Sequence, residues 1–260
     1  MPEKIFHWWR VLATGCCFSI FGEGGVVLRF VYFPLLHLVV WNTGRRVRLA
    51  RSVIQSGFRI FVVVMQALGV LRYEIIGHER LRRSGLLILA NHPSLIDTVF
   101  LMALVKNADC IVKAELQANF FTRGPVRAAG YVFNDQGMGL VQDCIASLER
   151  GNNLIVFPEG TRTPPDGSIR LKRGAANIAV RAQRPITPVI VECQPKTLGK
   201  GEKWWLIPAT RVTFRIIVQD DIDIAPFIDG ANGAENAALA ARNLTAFLQT
   251  YFTKEIQRHA

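Results

Sequence analysis

Apolar and polar positions follow two textures that divide the chain near residue 70. Before it, Val11 to Phe21 and Val26 to Trp41 are apolar runs interrupted by Gly22, Glu23, Gly24, Gly25 and Arg29, and Ile60 to Leu71 forms a third. Neither of the first two reaches the roughly 20 clean apolar residues of a comfortable membrane span. The pattern predicts a pair of membrane-associated helices, with the third run continuing a helix that begins near Arg45. From Tyr73 onward, short apolar runs alternate with longer amphipathic ones, the alternation of strands and helices in an α/β fold. Predicted strands are 73–76, 86–90, 110–112, 131–133, 154–157, 187–192 and 212–218. Predicted helices are 98–105, 138–150, 174–182 and 235–253. The expectation is an α/β catalytic domain over 71–260, built on a mostly parallel sheet of about seven strands flanked by helices, preceded by a helical membrane-anchoring region over 1–70.

Composition sharpens the first texture. Trp8, Trp9, Tyr32 and Trp41 stand near the ends of the apolar runs, and Arg45, Arg46, Arg48 and Arg51 follow at once. Amphipathic rings favour the headgroup region of a bilayer, and arginines beside them favour anionic lipid. A hydrophobic helix packed on the catalytic domain would give the same pattern. With 260 residues, half of them hydrophobic, the chain can bury one sizeable core. Its net charge of +11 favours an anionic partner: a phospholipid surface, nucleic acid, or an acidic carrier such as coenzyme A or acyl carrier protein. No recognisable DNA- or RNA-binding module accompanies that charge, so nucleic acid is not an expected partner. The five cysteines form no C-x-x-C pair, which reads as free thiols in a reducing compartment and as no metal site.

Two clusters carry candidate chemistry. After the run ending at Ala90 come Asn91, His92, Pro93, Ser94, Leu95, Ile96 and Asp97, so a histidine and a carboxylate lie five residues apart at a strand-to-helix turn. A carboxylate folded back on an imidazole fixes one ring nitrogen as donor and leaves the other to accept a proton from a hydroxyl. A histidine near a helix start can equally be a capping or packing residue. The second cluster, Phe157, Pro158, Glu159, Gly160, Thr161 and Arg162, also follows an apolar strand, where α/β folds build their sites. Arg162 could bind a phosphate or carboxylate with paired donors, and Glu159 could position a hydroxyl or the arginine itself; a surface salt bridge at a turn is the plainer alternative. Ser94 is not read as a nucleophile, because the chain has no G-x-S-x-G elbow; it suits a helix-start cap.

Together, NHPSLID and FPEGTR resemble the first and third motifs of the glycerol-3-phosphate and lysophosphatidate (1-acylglycerol-3-phosphate) acyltransferase family. Lys113, Glu115, Leu116, Gly124 and Gly130 resemble its second motif, Pro188, Val189 and Ile190 its fourth, and LKRGA at 171–175 extends the likeness, which spans about residues 73 to 220. The resemblance implies that His92 deprotonates an acceptor hydroxyl, that Asp97 orients the imidazole, and that the hydroxyl attacks an acyl thioester directly, with no acyl-enzyme, no metal and no cofactor beyond the co-substrate, acyl-CoA or acyl carrier protein. It assigns acceptor binding to Glu159, Gly160, Thr161 and Arg162, with Lys113 as a second phosphate contact and Asn91 and Lys172 as neighbours of the site. The implied partners are a lysolipid acceptor, the thioester donor and an anionic membrane surface. The implied place is the bacterial inner membrane, catalytic domain on the cytoplasmic face. One departure stands out: many lysophosphatidate enzymes carry an aspartate and an arginine after the second motif, where this chain has Asp135 and Gln136. Ala128 to Asp135 also resembles relatives that acylate other lipids, in aryl polyene or ornithine lipid pathways. A catalytically silent membrane scaffold is the alternative of a different class.

Overall fold

The computed structural model describes residues 2–134, 139–229 and 234–259. The chain enters through α1 (Pro2–Val27), passes a π-helical turn (Leu28–Tyr32) into α2 (Phe33–Val39), and returns along α3 (Thr43–Ala67). Asn42 caps α3 by accepting the Arg45 N–H at 2.9 Å. Then follow β1 (Leu71–Ile76), β2 (Leu87–Ala90), α4 (Ile96–Leu104), β3 (Ala108–Val112), α5 (Glu115–Ala118), α6 (Arg123–Ala129), β4 (Val132–Phe133), α7 (Gly139–Glu149) and β5 (Asn153–Val156). The order closes with α8 (Gly174–Ala182), β6 (Ile186–Gln194), β7 (Val212–Val218), α9 (Ala225–Ile228) and α10 (Ala234–His259). The expected α/β architecture is observed.

Seven strands form one sheet in the order β1-β7-β6-β2-β5-β3-β4. Every pairing is parallel except β6 with β7, so β1 and β7 run against the other five. Alternate residues of a strand face opposite sides, and both sides are covered here. Ile88, Ala90, Ile155 and Val191 pack toward a core that includes Ile54 and Phe61 of α3 and Phe100 of α4. Leu87, Leu89, Leu154 and Ile190 face Leu148 of α7, Ile178 of α8 and Leu244 of α10. Burial on both faces explains why β2 reads LILA without polar alternation.

The two first apolar runs do not form separate helices. His7–Val39 is one helical stretch, long and apolar enough to cross a membrane by length and composition, with mean hydropathy 1.7 and 17% of its most apolar window buried. Its glycines serve docking. A Cβ on Gly25 of α1 would lie 2.7 Å from the Phe121 carbonyl oxygen, and one on Gly124 of α6 would lie 2.5 Å from the Cβ of Arg29 in the π-helical turn, so only glycine permits this approach of the N-terminal helical stretch to the start of α6 and the loop before it. The helical partner of this stretch is α3. Arg51 of α3 is buried, donating to Asp109 Oδ2 at 2.7 Å and to the Ala129 carbonyl at 2.9 Å. Asp109 also accepts from the Ser147 hydroxyl at 2.5 Å, which ties α3, β3, α6 and α7 together. The helix α3 thus belongs to the same core as the sheet, although the change of texture lies after it.

Candidate active site

Parallel strands deliver their C-terminal ends to one edge of the sheet, and those of β2, β5 and β3 lie side by side. Leu89 pairs with Val156, so three more residues along each strand bring His92 opposite Glu159. Adjacent pairing of β2 and β5 is therefore what joins two motifs 67 residues apart. The contact is direct: the His92 backbone N–H donates to Glu159 Oε1 at 2.9 Å. The Thr163 hydroxyl donates to the same oxygen at 2.9 Å, and the Thr163 N–H donates to the His92 carbonyl at 2.8 Å.

Asp97 lies in the first turn of α4, and the tight turn through Pro93 and Ser94 carries its carboxylate back to the histidine. Asp97 Oδ2 accepts the Ser94 N–H at 2.6 Å and stands 3.1 Å from His92 Nδ1. Asp97 is fully buried, whereas the His92 side chain retains 15% exposure. Burial pushes the Asp97 carboxyl above the ordinary carboxylate range, against the opposing pull of His92, the Ser94 N–H and Arg162. An N–H at Nδ1 answers the carboxylate, so the lone pair falls to Nε2, the configuration of a general base. The ring stacks on Phe157, centroids 4.1 Å apart at 22°, which fixes the plane of the imidazole. Ser94 is buried one residue before Leu95, which occupies the N-cap of α4 in place of the expected serine, and its Oγ accepts the Ile96 N–H only at 3.4 Å.

The remaining sequence candidates divide by geometry. Glu159 is buried and its carboxyl is also raised by desolvation; with Oε1 occupied by His92 and Thr163, it bridges the two motif loops. Arg162 donates from Nη1 to the carbonyls of Leu198 and Gly199, at 2.9 and 2.8 Å. Leu198 also accepts the Leu95 N–H at 3.1 Å, so one loop after β6 holds both motifs. Gly160 adopts φ +67°, and a Cβ there would lie 2.8 Å from Lys172 Nζ, which places the ammonium over the glycine turn. The Lys172 N–H is held by the Pro158 carbonyl at 2.8 Å. Thr161 sits half-buried between Gly160 and Arg162. Lys113 is exposed at the end of β3, level with Asn91 by register and two strands away, roughly 10 Å at the usual strand spacing.

Asn91 turns toward the sheet. Its Nδ2 donates to the Val191 carbonyl at 2.8 Å and its Oδ1 accepts the Val191 N–H at 2.7 Å, so the amide prolongs the β2–β6 pairing and anchors the turn that follows. Asp135, Gln136 and Met138 lie outside the described residues. Sequence reasoning named Phe157 in the second cluster without giving it a role, and missed Thr163 and the Leu198–Gly199 loop. Thr163 stood directly after that cluster and could have been suspected; the loop, more than 35 residues farther on and acting through carbonyls, left no side-chain signal. Among the described residues, no group of three or more His, Cys, Asp or Glu side chains could hold a metal ion.

Comparison with known proteins agrees with the motifs. Residues 72–192 match the model of the Acyltransferase family. The chain is 35% identical over 126 residues to a putative 1-acyl-sn-glycerol-3-phosphate acyltransferase of Caenorhabditis elegans, covering 45% of this chain and 44% of that protein. It is 26% identical over 145 residues to the 1-acyl-sn-glycerol-3-phosphate acyltransferase of Pseudomonas aeruginosa (54% and 56% covered), and 30% identical over 145 residues to that of Saccharomyces cerevisiae (51% and 47%). The chain thus spans about half the length of the curated relatives it matches. The crystal structure of the 1-acyl-sn-glycerophosphate acyltransferase PlsC from Thermotoga maritima shares the fold, with TM-score 0.67 and 21% identity over 99% of this chain and 95% of that one.

Proposed function

We propose that this chain is an O-acyltransferase that moves a fatty acyl group from a thioester onto the hydroxyl of a lysophosphatidate-like lipid at a membrane surface. The observation that carries the reading is the His92–Asp97 pair, 3.1 Å apart, with the carboxylate buried and the imidazole partly open. In the reaction, His92 Nε2 takes the acceptor hydroxyl proton as the oxygen attacks the thioester carbonyl. The C–S bond then breaks, and the thiolate recovers the proton from the imidazolium. Each proton transfer of this kind is worth about 10²–10⁴ in rate. Arg162 and Lys172, beside the Gly160 turn, supply positive charge for the acceptor phosphate, with Lys113 farther along the same edge. The donor is acyl-CoA or acyl carrier protein, both acidic, and the net charge of +11 favours their approach.

The reading includes the membrane. Leu38, Val39 and Trp41 are exposed, Trp41 to 89%, and Arg45, Arg46 and Arg48 follow directly. Apolar side chains beside arginines suit the cytoplasmic leaflet of a bacterial inner membrane. A second reading, an acceptor outside the phosphatidate series such as an aryl polyene or ornithine lipid precursor, is favoured by one feature: Gln136 stands where many lysophosphatidate enzymes carry a cation.

The deciding experiment offers labelled acyl-CoA and acyl carrier protein to the protein in liposomes, against lysophosphatidate and phosphate-free lysolipids, with His92→Ala as control. His92-dependent product with lysophosphatidate supports the first reading. Product only with another acceptor moves the chain to the second, and equal product from His92→Ala removes the mechanism.

A further inference from the structure

The face that meets the catalytic domain carries Gly15, Phe18, Gly22 and Gly25 of α1 and Arg29 of the π-helical turn, spaced at three and four residues as one side of a helix requires. Two aromatic pairs from catalytic-domain loops flank that line. Trp204 lies beside Gly15 and Phe18, its ring 5.8 Å from the phenyl of Phe18, and continues into Trp205 and Leu206. Phe121 lies beside Gly22 and Gly25, and Phe120 beside Phe30 at 5.9 Å. Trp204 and Phe121 touch α1 and yet remain 42% and 47% exposed, and their neighbours Trp205, Leu206 and Phe120 are 49%, 59% and 53% exposed. Isolated exposed apolar residues are ordinary, but a contiguous row of them beside an exposed apolar helix marks a surface that meets another phase.

Cations stand over both pairs. Lys203 Nζ lies 5.2 Å from the Trp205 ring centroid, and the Arg29 guanidinium lies 4.8 and 4.9 Å from the rings of Phe30 and Phe120. Cation above ring, beside aliphatic surface, is the chemistry of an anionic headgroup layer, where ring and aliphatic carbons enter the acyl boundary while the cations meet phosphate. A second copy of the chain, equally basic, would bring like charge to this surface.

We propose that the catalytic domain itself inserts into an anionic leaflet through Trp204–Trp205–Leu206 and Phe120–Phe121, so that α1 and two catalytic-domain loops form one membrane-binding face. The proposal rests on the membrane-surface reading above and extends it from the N-terminal helices to the domain that holds the site. Its consequence is local: the loop that presents Trp205 also holds Arg162 through Leu198 and Gly199, so the bilayer contact and the candidate acceptor site share one segment.

The test uses variants of the whole chain with a single tryptophan, every other native tryptophan replaced by phenylalanine, mixed with phosphatidylglycerol-containing vesicles whose lipids are brominated at shallow or deep acyl positions. One variant keeps Trp205, a second keeps Trp41, and a third carries Phe120→Trp alone; circular dichroism establishes that each is folded. The proposal expects Trp205 and the tryptophan at 120 to lose about half of their emission or more with shallow bromines. Quenching of Trp41 without quenching at 205 and 120 overturns the proposal and leaves N-terminal anchoring intact, whereas quenching at none of the three overturns both. Trp205 emission already blue-shifted without lipid, and unchanged by bromines, would place a second protein copy on this face and likewise overturn it.

Discussion

Asp97→Asn separates chemistry from folding at the site. An asparagine in place of Asp97 can still accept the Ser94 N–H, now 2.6 Å from Oδ2, through its amide oxygen. Because that oxygen also stands 3.1 Å from His92 Nδ1, the same choice keeps the Nδ1 contact and puts the NH2 in the place of Oδ1. The lone pair stays on Nε2, and what is lost is the carboxylate charge that stabilises the imidazolium formed when the ring takes a proton from a hydroxyl. The expected loss is that of a general base, about 10²–10⁴ in kcat, or ~3–5 kcal/mol of barrier. Acceptor KM should move little, because the change touches no group placed on the phosphate. Stability should move the other way. Burial raises the Asp97 pKa, so the native state holds this proton more tightly than the unfolded chain. The stability contributed by that linkage is present below the ordinary carboxylate range and is lost as pH rises through the raised native value. At pH 7 the buried charge is a cost that Asn removes, so Tm should be unchanged or higher. Initial rates in liposomes, with thermal unfolding of the same samples at pH 5 and pH 7, check both halves. A kcat within tenfold of the parent, or a fall in Tm that accounts for the lost activity, would refute the reasoning.

Other perturbations address the surroundings. Gly160→Ala places a Cβ against the flexible end of Lys172 and an L-residue at φ +67°, which costs about 1–2 kcal/mol in the left-handed region; denaturant unfolding should show that loss, and acceptor KM should rise as Lys172 is displaced. Arg162→Lys keeps the charge but cannot bridge the Leu198 and Gly199 carbonyls while presenting a planar fork, so acceptor KM should rise at nearly constant Tm; unchanged kinetics would remove Arg162 from acceptor binding. Arg51→Met strands the buried Asp109 carboxylate and should cost about 3–5 kcal/mol in urea unfolding, with part of the loss recovered in Arg51→Met/Asp109→Leu. The double substitution Leu38→Glu/Val39→Glu, on exposed side chains, should shift the protein from the vesicle-bound to the free fraction in flotation without altering its unfolding midpoint.

Much of this molecule was legible in the order of its residues, because the signals were local. Runs such as LILA and VTFRIIV differ in period from amphipathic stretches such as 174–182, so all seven strands and the four principal helices after residue 90 were placed to within a few residues, except that α10 runs on to His259, six residues past the expected end. The short helices α5, α6 and α9 were not, since four to seven residues hold too few turns to show a period. His92 and Asp97 were legible as a pair because a single turn joins them. Tertiary structure alone decided the rest. Parallel pairing of β2 with β5 sets Glu159 against the His92 backbone; Asn91 is drawn to Val191 because β6, paired with β7 on its other side, runs on past the end of β2; and the Leu198 carbonyl reaches Arg162 across a fold that no spacing encodes. Gly25 read as an interruption of an apolar run and Gly124 as part of the second motif, and only the assembled chain shows that both sit where two segments of backbone approach closely. Periodicity records which face of an element is buried, but not against what; that depends on strand order and close packing, which are properties of the assembled chain.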